Sequence, residues 1–460
     1  MRLNKIFRGY VSRIAFLAAL AVLLAGTASA QSLEQQVQEL RAEMQRLREE
    51  LDSVRAEIRR GNPTAQAAQE VQEELTPEEA LPLIQAQLEE HSRTKVESNS
   101  KFPLRLFGTI VSNTILNTGE PNWLDIGNVV MPQPAGLPTG SFTSTLRQSR
   151  VGAILDGPAI GSMRTSGLLA IDFFGGMPNF QTGEVHMLPR LLYAYMRIES
   201  PRTAFQVGQD HMILAPKNPT SLAGLAFPIM FRTGNLYLRV PQVRAERVLA
   251  SGAFGEIRAV GGITAPVGGD NPTTAYVFVP PNLAGERSRR PGYQTRFSWQ
   301  ATPAGPYEEP AWEFGASGHY SRERYLTGVS PSWAASVDFD ATAGPFGVGG
   351  EFFAGRNIDA FGASMAQIAK SRGGFVEARI AATRRLDFNG GFGSDRLYDL
   401  ARFPAAPVNL HRNSSIFGNT IYQLIPELAI SLEYRRLETK PRVGAVRKND
   451  HFNLTFAYSF

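Results

Sequence analysis

Cysteine is absent from the 460-residue sequence, which excludes disulfides and thiolate-bound metal ions. Histidine is scarce as well: the six residues are scattered and show no metal-ligand spacing. The short motifs of α/β-hydrolases, zinc peptidases and P-loop nucleotide-binding proteins are also missing. We therefore expect a protein that uses neither a cofactor nor a metal and is not an enzyme.

Long apolar runs are missing beyond the N-terminus. The apolar stretch Ile14–Leu24 is too short for a membrane-spanning helix, which needs about 20 residues. Four basic residues and no acidic one precede it, and the small residues GTASA, ending at Ala30, follow it. This order predicts a cleaved export signal over residues 1–30. The alternative is a buried N-terminal helix.

Net charge is also nearly absent once the signal is removed. The whole chain carries +5, but the signal supplies four positive charges and leaves about +1, so we expect no nucleic-acid partner. The charge is unevenly distributed: residues 101–460 hold 35 basic and 27 acidic side chains, and 30 of the 35 are arginine. This arginine excess predicts a preference for anions.

Residues 31–60 carry an apolar 4-3 heptad pattern, which predicts a parallel coiled coil. Charges flanking the seam support parallel strands, because Glu43 faces Arg48 and Glu50 faces Arg55 of a neighbouring helix. The core positions are Leu33, Val37, Leu40, Met44, Leu47, Leu51, Val54 and Ile58. An amphipathic helix packed on its own chain is the alternative, and the core residues do not choose between dimer and trimer.

Residues 61–100 are acidic, contain three prolines and lack a sustained period, so we interpret them as a linker. From residue 101 onwards, short segments alternate between apolar and polar residues, with turn residues between them. One face is apolar and aromatic at its ends, and the other carries full charges. This pattern predicts an antiparallel transmembrane β-barrel of 16 strands, within two, over 101–460, with a polar, water-filled lumen.

The predicted strands are 103–114, 145–155, 162–173, 189–199, 203–210, 235–248, 254–265, 292–302, 311–322, 331–341, 344–355, 373–382, 385–394, 413–424, 427–437 and 449–460. The last of them ends in alternating aromatics, which we expect to face lipid. Phe456, Tyr458 and the terminal Phe460 resemble the C-terminal assembly signal of bacterial outer-membrane proteins, and this implies the barrel-assembly machinery as a partner.

The alternation directs two sets of charged residues into the lumen, where an arginine excess at the narrowest point would favour anions. The arginines are Arg150, Arg244, Arg258, Arg296, Arg379, Arg385 and Arg435, and the acids are Glu246, Glu256, Glu313, Asp338, Glu351, Glu377 and Glu433. Each arginine has a structural alternative, as the partner of a neighbouring carboxylate. The alternation of the segments (the parity of residue numbers) does not show whether Arg105, Arg190 and Arg197 face the lumen or the lipid. The long connection 210–234 is predicted to fold inward as the constriction loop, with Lys217 and Arg232 flanking it.

This order of segments resembles the DcaP-like trimeric porins of Gram-negative bacteria. The similar stretches are AYMRIESPRTAFQVGQD at 194–210, RVPQVRAER at 239–247, GEFFAGRNID at 350–359 and NTIYQLIPELAISLEYRR at 419–436. The resemblance implies a 16-stranded homotrimer in outer-membrane lipid and lipopolysaccharide, with a periplasmic coiled coil and uptake of small anions, dicarboxylates among them. One departure is Asp210-His211-Met212, which replaces an expected aromatic-serine ending and leaves the chemistry of the constriction open.

Three other functions remain open. The barrel could anchor a tether whose coiled coil engages a periplasmic partner or the cell wall. The chain could be a soluble secreted β-protein whose aromatic face is an inner core. Ser317 and His319 share the lumen face of one predicted strand and could act together, as in outer-membrane phospholipases, although no third partner is evident.

Overall fold

The computed structural model describes residues 103–176, 187–268, 283–303, 309–363, 368–398 and 409–460. The predicted signal, coiled coil and linker all lie outside the described residues. Within these ranges no helix is long and apolar enough to cross a membrane.

The described residues form one closed antiparallel β-barrel. Its strands are β1 (Leu104–Asn117), β2 (Ser141–Thr145), β3 (Arg150–Asp156), β4 (Arg164–Asp172), β5 (Arg190–Glu199), β6 (Thr203–His211), β7 (Arg239–Gly252), β8 (Gly255–Thr264), β9 (Gly292–Gln300), β10 (Trp312–Tyr325), β11 (Gly328–Ala343), β12 (Phe346–Arg356), β13 (Lys370–Thr383), β14 (Leu386–Leu397), β15 (Leu410–Ile425), β16 (Leu428–Pro441) and β17 (Arg447–Ser459). A single helical turn, α1 (Ala284–Arg287), precedes β9, and a 3₁₀ turn (Asp359–Phe361) follows β12.

These 17 segments of the described chain occupy 16 positions in the wall, because β2 and β3 pair with the upper and lower parts of the same strand, β1. The barrel closes where β1 pairs with β17. At the seam the Phe460 N–H donates to the Gly108 carbonyl at 3.1 Å, and the Gly108 N–H donates to the Phe460 carbonyl at 2.9 Å. The predicted 16-stranded antiparallel barrel is confirmed.

The two faces of the wall have opposite chemistry, as β9 shows. Its outward residues Tyr293, Phe297 and Trp299 are 51%, 54% and 49% exposed, whereas the inward Gln294 and Arg296 are buried. A soluble sandwich would bury such an apolar face in its core. The exposed apolar belt and polar interior are instead those of a transmembrane barrel, so the soluble alternative does not hold for this chain.

Most of the predicted strands have slightly different bounds in the structure, and two of these differences concern the interior. The segment 145–155 is interrupted between β2 and β3, where Gln148 turns inward and its side-chain amide donates to the Ala223 carbonyl at 2.8 Å. The segment 235–248 begins later, at Arg239, because residues 235–238 belong to a loop that folds into the barrel. In both places a tertiary contact replaces the regular pairing of strands.

Candidate functional site: the lumen and its inward loop

The connection between β6 and β7, residues 212–238, folds into the barrel, and we call it the inward loop. Its base packs an apolar cluster against inward-facing residues of the wall. The cluster comprises Met212, Leu214, Ala215, Leu236, Val240, Ala334, Phe353, Ile358, Phe361 and Ala363. Apolar residues on a face that is otherwise polar therefore mark where the loop covers the wall.

Polar side chains of the wall fasten the base of the inward loop. A loop inside a barrel must find partners for its backbone N–H and C=O groups, since a buried unpaired group is costly. Gln294 on β9 accepts hydrogen bonds from the N–H groups of Ile213 and Leu214 at 2.8 and 3.1 Å. Glu351 on β12 accepts from the Leu236 N–H at 2.7 Å and the Asn235 side chain at 3.1 Å.

The middle of the inward loop is held by a second set of wall residues. Glu377 on β13 accepts from the Thr220 N–H at 2.8 Å and from the Thr220 hydroxyl at 3.1 Å. Glu433 on β16 accepts from the Ser221 hydroxyl at 2.5 Å. Asn419 on β15 donates to the Thr220 carbonyl at 2.8 Å. Together with Glu351 at the base and Glu313, which binds Lys217, four of the predicted lumen acids thus bind the loop.

The loop approaches the wall closely at Gly234. Its φ of +121° is in the region that favours glycine, and a Cβ atom there would lie 2.1 Å from the Gly374 carbonyl oxygen on β13. Arg232, two residues earlier, also has a positive φ of 63°, and its guanidinium lies 5.5 Å from the Phe231 ring centroid. Burial lowers the pKa of Arg232. Lys217 pairs with Glu313 at 2.5 Å.

Most of the predicted lumen arginines form ion pairs with wall carboxylates. The pairs and their N–O distances are Arg244 with Asp210 (3.0 Å) and Glu246 (2.9 Å), Arg258 with Glu256 (2.8 Å), Arg296 with Asp338 (2.5 Å) and Glu313 (2.8 Å), and Arg379 with Asp340 (2.8 Å) and Glu377 (3.2 Å). Arg435 is buried against backbone carbonyls, and Arg385 is exposed in the turn between β13 and β14. These arginines are largely neutralised or displaced from the interior.

Of the three unassigned arginines, only Arg190 joins a further arginine group in the lumen. Arg197 pairs with Glu246 at 2.9 Å, and Arg105 with Asp156 at 3.2 Å on an exposed part of the wall. The group comprises Arg147, Arg150, Arg190 and Arg239, and we call it the arginine cluster.

Aromatic rings connect three members of the arginine cluster: Arg147, Arg190 and Arg239. The Arg147 guanidinium lies 3.8 Å from the Phe174 ring centroid, and that of Arg190 lies 4.6 Å from the ring of Phe227 in the inward loop. The Phe227 ring contacts Tyr237 at 5.4 Å between centroids. The Arg239 guanidinium is 5.1 Å from Tyr237.

The arginine cluster carries more positive than negative charge. Arg147 pairs with Asp125, and Arg190 pairs with Asp172 at 2.5 Å. Arg150 lies opposite Asp172 in the strand register but makes no ion pair among the described residues. Arg239 makes none there either. Two positive charges of the cluster therefore lack a carboxylate.

Sequence parity alone does not find Arg239. Counted from the inward Arg244, it falls on the outward face of β7. The β6–β7 hairpin turns inward beyond the wall, and His211 and Arg239 stay paired across it. The Arg239 guanidinium then meets the rings of Tyr193 and Tyr237 inside the barrel. Arg239 is the first residue of the similar stretch RVPQVRAER, but the direction of its side chain depends on this bend of the hairpin.

No protein-family model matches the sequence, and no curated protein matches it either. Solved structures do match. The outer membrane channel DcaP of Acinetobacter baumannii is 16% identical, with 78% of this chain and 99% of that chain covered and a TM-score of 0.62. The anion-selective porin from Comamonas acidovorans is 9% identical, with 78% and 100% covered and a TM-score of 0.51. OprB of Pseudomonas putida is 11% identical, with 80% and 96% covered and a TM-score of 0.50.

The closed 16-stranded wall, the apolar exterior and the loop-narrowed polar interior define a transmembrane barrel of the porin class. Within that class, the barrel has the fold of the DcaP channel. The resemblance expected from the sequence is thus confirmed at the level of the fold.

Proposed function

We propose that this chain is an outer-membrane porin through which small hydrophilic solutes, preferably anions such as dicarboxylates, diffuse passively. Solutes would cross the lumen beside the inward loop, driven only by their gradient and without a cofactor. The observation that carries the anion preference is the charge of the arginine cluster, where Arg150 and Arg239 lack carboxylate partners among the described residues. A positive constriction lowers the barrier for anions.

The ion-paired arginines contribute less to this selectivity. Arg296 and Arg379 each contact two carboxylates of the wall, so their local charge is balanced. They keep the lumen polar and exclude apolar solutes. Selectivity for charge is therefore assigned to the arginine cluster, which includes Arg150, and the ion-paired arginines Arg244, Arg258, Arg296 and Arg379 provide mainly the hydrated lining.

We also propose that the protein is a homotrimer, anchored in outer-membrane lipid and lipopolysaccharide, whose N-terminal coiled coil lies in the periplasm. The faultless heptad pattern of residues 33–58 supports self-association. The exposed aromatic face of β17, with Phe456 and Tyr458, suits lipid and the assembly-signal role proposed for the C-terminus. We propose no enzyme activity: His319 contacts Ser321 and Gln294 and has no carboxylate beside it among the described residues.

Single-channel recording of the purified protein in a planar bilayer under a KCl gradient tests the channel. We expect stepwise currents that close in threes, and a reversal potential with the sign set by chloride. A reversal potential set by potassium would contradict the anion preference. Folded, heat-modifiable protein that passes no current would exclude the porin and leave the tether, for which conductance is not required.

A further inference from the structure

Arg239 occupies an unusual environment for a lumen arginine. Its guanidinium lies 4.8 Å from the Tyr193 ring centroid and 5.1 Å from that of Tyr237. The His211 ring lies between these two rings, at 5.7 Å from Tyr193 and 5.1 Å from Tyr237. Aromatic rings thus surround this arginine, whereas carboxylates bind most of the other lumen arginines.

The hydrogen-bonding capacity of Arg239 is largely unused. Its one side-chain hydrogen bond among the described residues is a long one, from Nη2 to the Tyr193 hydroxyl at 3.4 Å, and its buried Nε has no acceptor. A guanidinium has five N–H donors in a planar fork that matches a carboxylate. Burial raises the pKa of Tyr237 to about 12, so its phenol stays neutral beside the arginine.

We propose that Arg239, Tyr193, Tyr237 and His211 form a binding subsite for planar aromatic monocarboxylates. This inference rests on the channel function proposed above and names one solute class for it. The carboxylate would accept hydrogen bonds from the Arg239 fork. The ring attached to the carboxylate would contact the partly exposed rings of Tyr193 and His211, which favour an aromatic over a saturated ring through the geometry of π contacts. Tyr237 is buried and supports the Arg239 guanidinium from the inward loop.

Contacts elsewhere in the arginine cluster extend the apolar surface beside the proposed subsite. The Arg190 guanidinium packs over the Phe227 ring, and Phe227 in turn contacts Tyr237. The apolar surface therefore continues from the subsite along the inward loop. A solute with both a negative charge and an aromatic ring can use both features. A purely aliphatic anion can use only the charge.

Block of the KCl current by benzoate and by cyclohexanecarboxylate provides the test, because the two acids share charge and approximate size but differ in ring planarity. In the wild type we expect benzoate to block with an apparent Kd about fivefold lower. Tyr193→Leu should bring that ratio close to one without changing the reversal potential. Arg239→Gln should weaken block by both acids about tenfold or more, since it removes a charge-assisted bond.

Two further variants separate charge from geometry. Arg239→Lys keeps the positive charge but not the planar fork, so we expect an anion-selective reversal potential with weaker benzoate block. Arg105→Gln removes the same charge from an exposed arginine near the start of β1 and should leave both blocking constants at wild-type values.

Equal block by the two acids in the wild type, or a benzoate preference that survives both Arg239→Gln and Tyr193→Leu in heat-modifiable protein, would overturn the subsite while the anion channel stands. A wild-type channel that does not prefer chloride would instead overturn the proposed function. The two failures therefore give different recordings.

Discussion

The guanidinium of Arg435, on β16, donates a hydrogen bond to the backbone carbonyl of Ile229 in the inward loop. Its other terminal nitrogen donates to the Gly127 carbonyl, in the loop after β1, at 2.5 Å. The residue is 1% exposed. One buried arginine therefore ties two loops to the same strand, and both loops narrow the interior.

Replacing Arg435 with methionine should widen the lumen. The substitution keeps an unbranched side chain but leaves two buried carbonyls without a donor, which costs about 1–3 kcal/mol for each. We expect a higher single-channel conductance and passage of larger uncharged polymers. Polymer-exclusion measurements in planar bilayers check this.

Arg436→Met serves as the matched control for Arg435→Met. The neighbouring Arg436 pairs with Glu438 and Asp450 at 3.3 and 3.1 Å and is partly exposed, so its loss should leave the exclusion limit unchanged. If folded Arg435→Met protein excluded polymers at the same size as the control, Arg435 would not hold the loops.

Glu351→Ala should loosen the base of the inward loop. The carboxylate of Glu351 accepts from Leu236 and Asn235 and is 0% exposed. Its removal leaves the buried Leu236 N–H unpaired, whereas the Asn235 amide keeps the Lys217 carbonyl as an acceptor. The expected loss of stability is about 1–3 kcal/mol. Limited proteolysis within 212–238 and current noise measure it. Glu351→Gln keeps an acceptor oxygen and should behave like the wild type; equal cleavage of the two variants would contradict this account.

Gly234→Ala should displace the inward loop from β13. The new Cβ would meet the Gly374 carbonyl at 2.1 Å, and the φ of +121° disfavours a side chain. We expect increased conductance with the barrel intact. Gly136→Ala is a suitable control, because Gly136 also has a positive φ, of +77°, but a Cβ added there would have no neighbouring atom within 4 Å. Identical conductance for both variants would count against the close approach.

Arg150→Gln and Arg296→Gln should separate selectivity from stability. Arg150 has no ion pair among the described residues, so its loss should reduce chloride selectivity with little effect on the unfolding temperature. Arg296 is held by Asp338 and Glu313, and its removal leaves the buried carboxylate of Asp338 unpaired, at a cost of about 3–5 kcal/mol, while Glu313 keeps Lys217. Reversal potentials and heat-modifiability on gels test the two variants. A stability loss at Arg150→Gln together with a selectivity loss at Arg296→Gln would refute the prediction.

The alternation of residues such as Tyr293 and Gln294 was enough to predict the wall, because strand periodicity is local and one face meets lipid. The same parity rule correctly turned Glu351, Glu433 and Arg435 away from the lipid. It did not reveal what those side chains bind, since their partners lie in loops without periodicity. Arg239 was missed because the hairpin that carries it bends out of the wall.

The sequence by itself determined a cysteine-free β-barrel of about 16 strands and the arginine excess of its barrel region, all of which follow from composition and local pattern. Only the tertiary structure decided which arginines are neutralised and which are not. The partners of one arginine come from strands and loops far apart in the chain, as Arg435 and Ile229 are 206 positions apart. Such pairs form only when the barrel closes and the loop folds into it, so no local pattern encodes them.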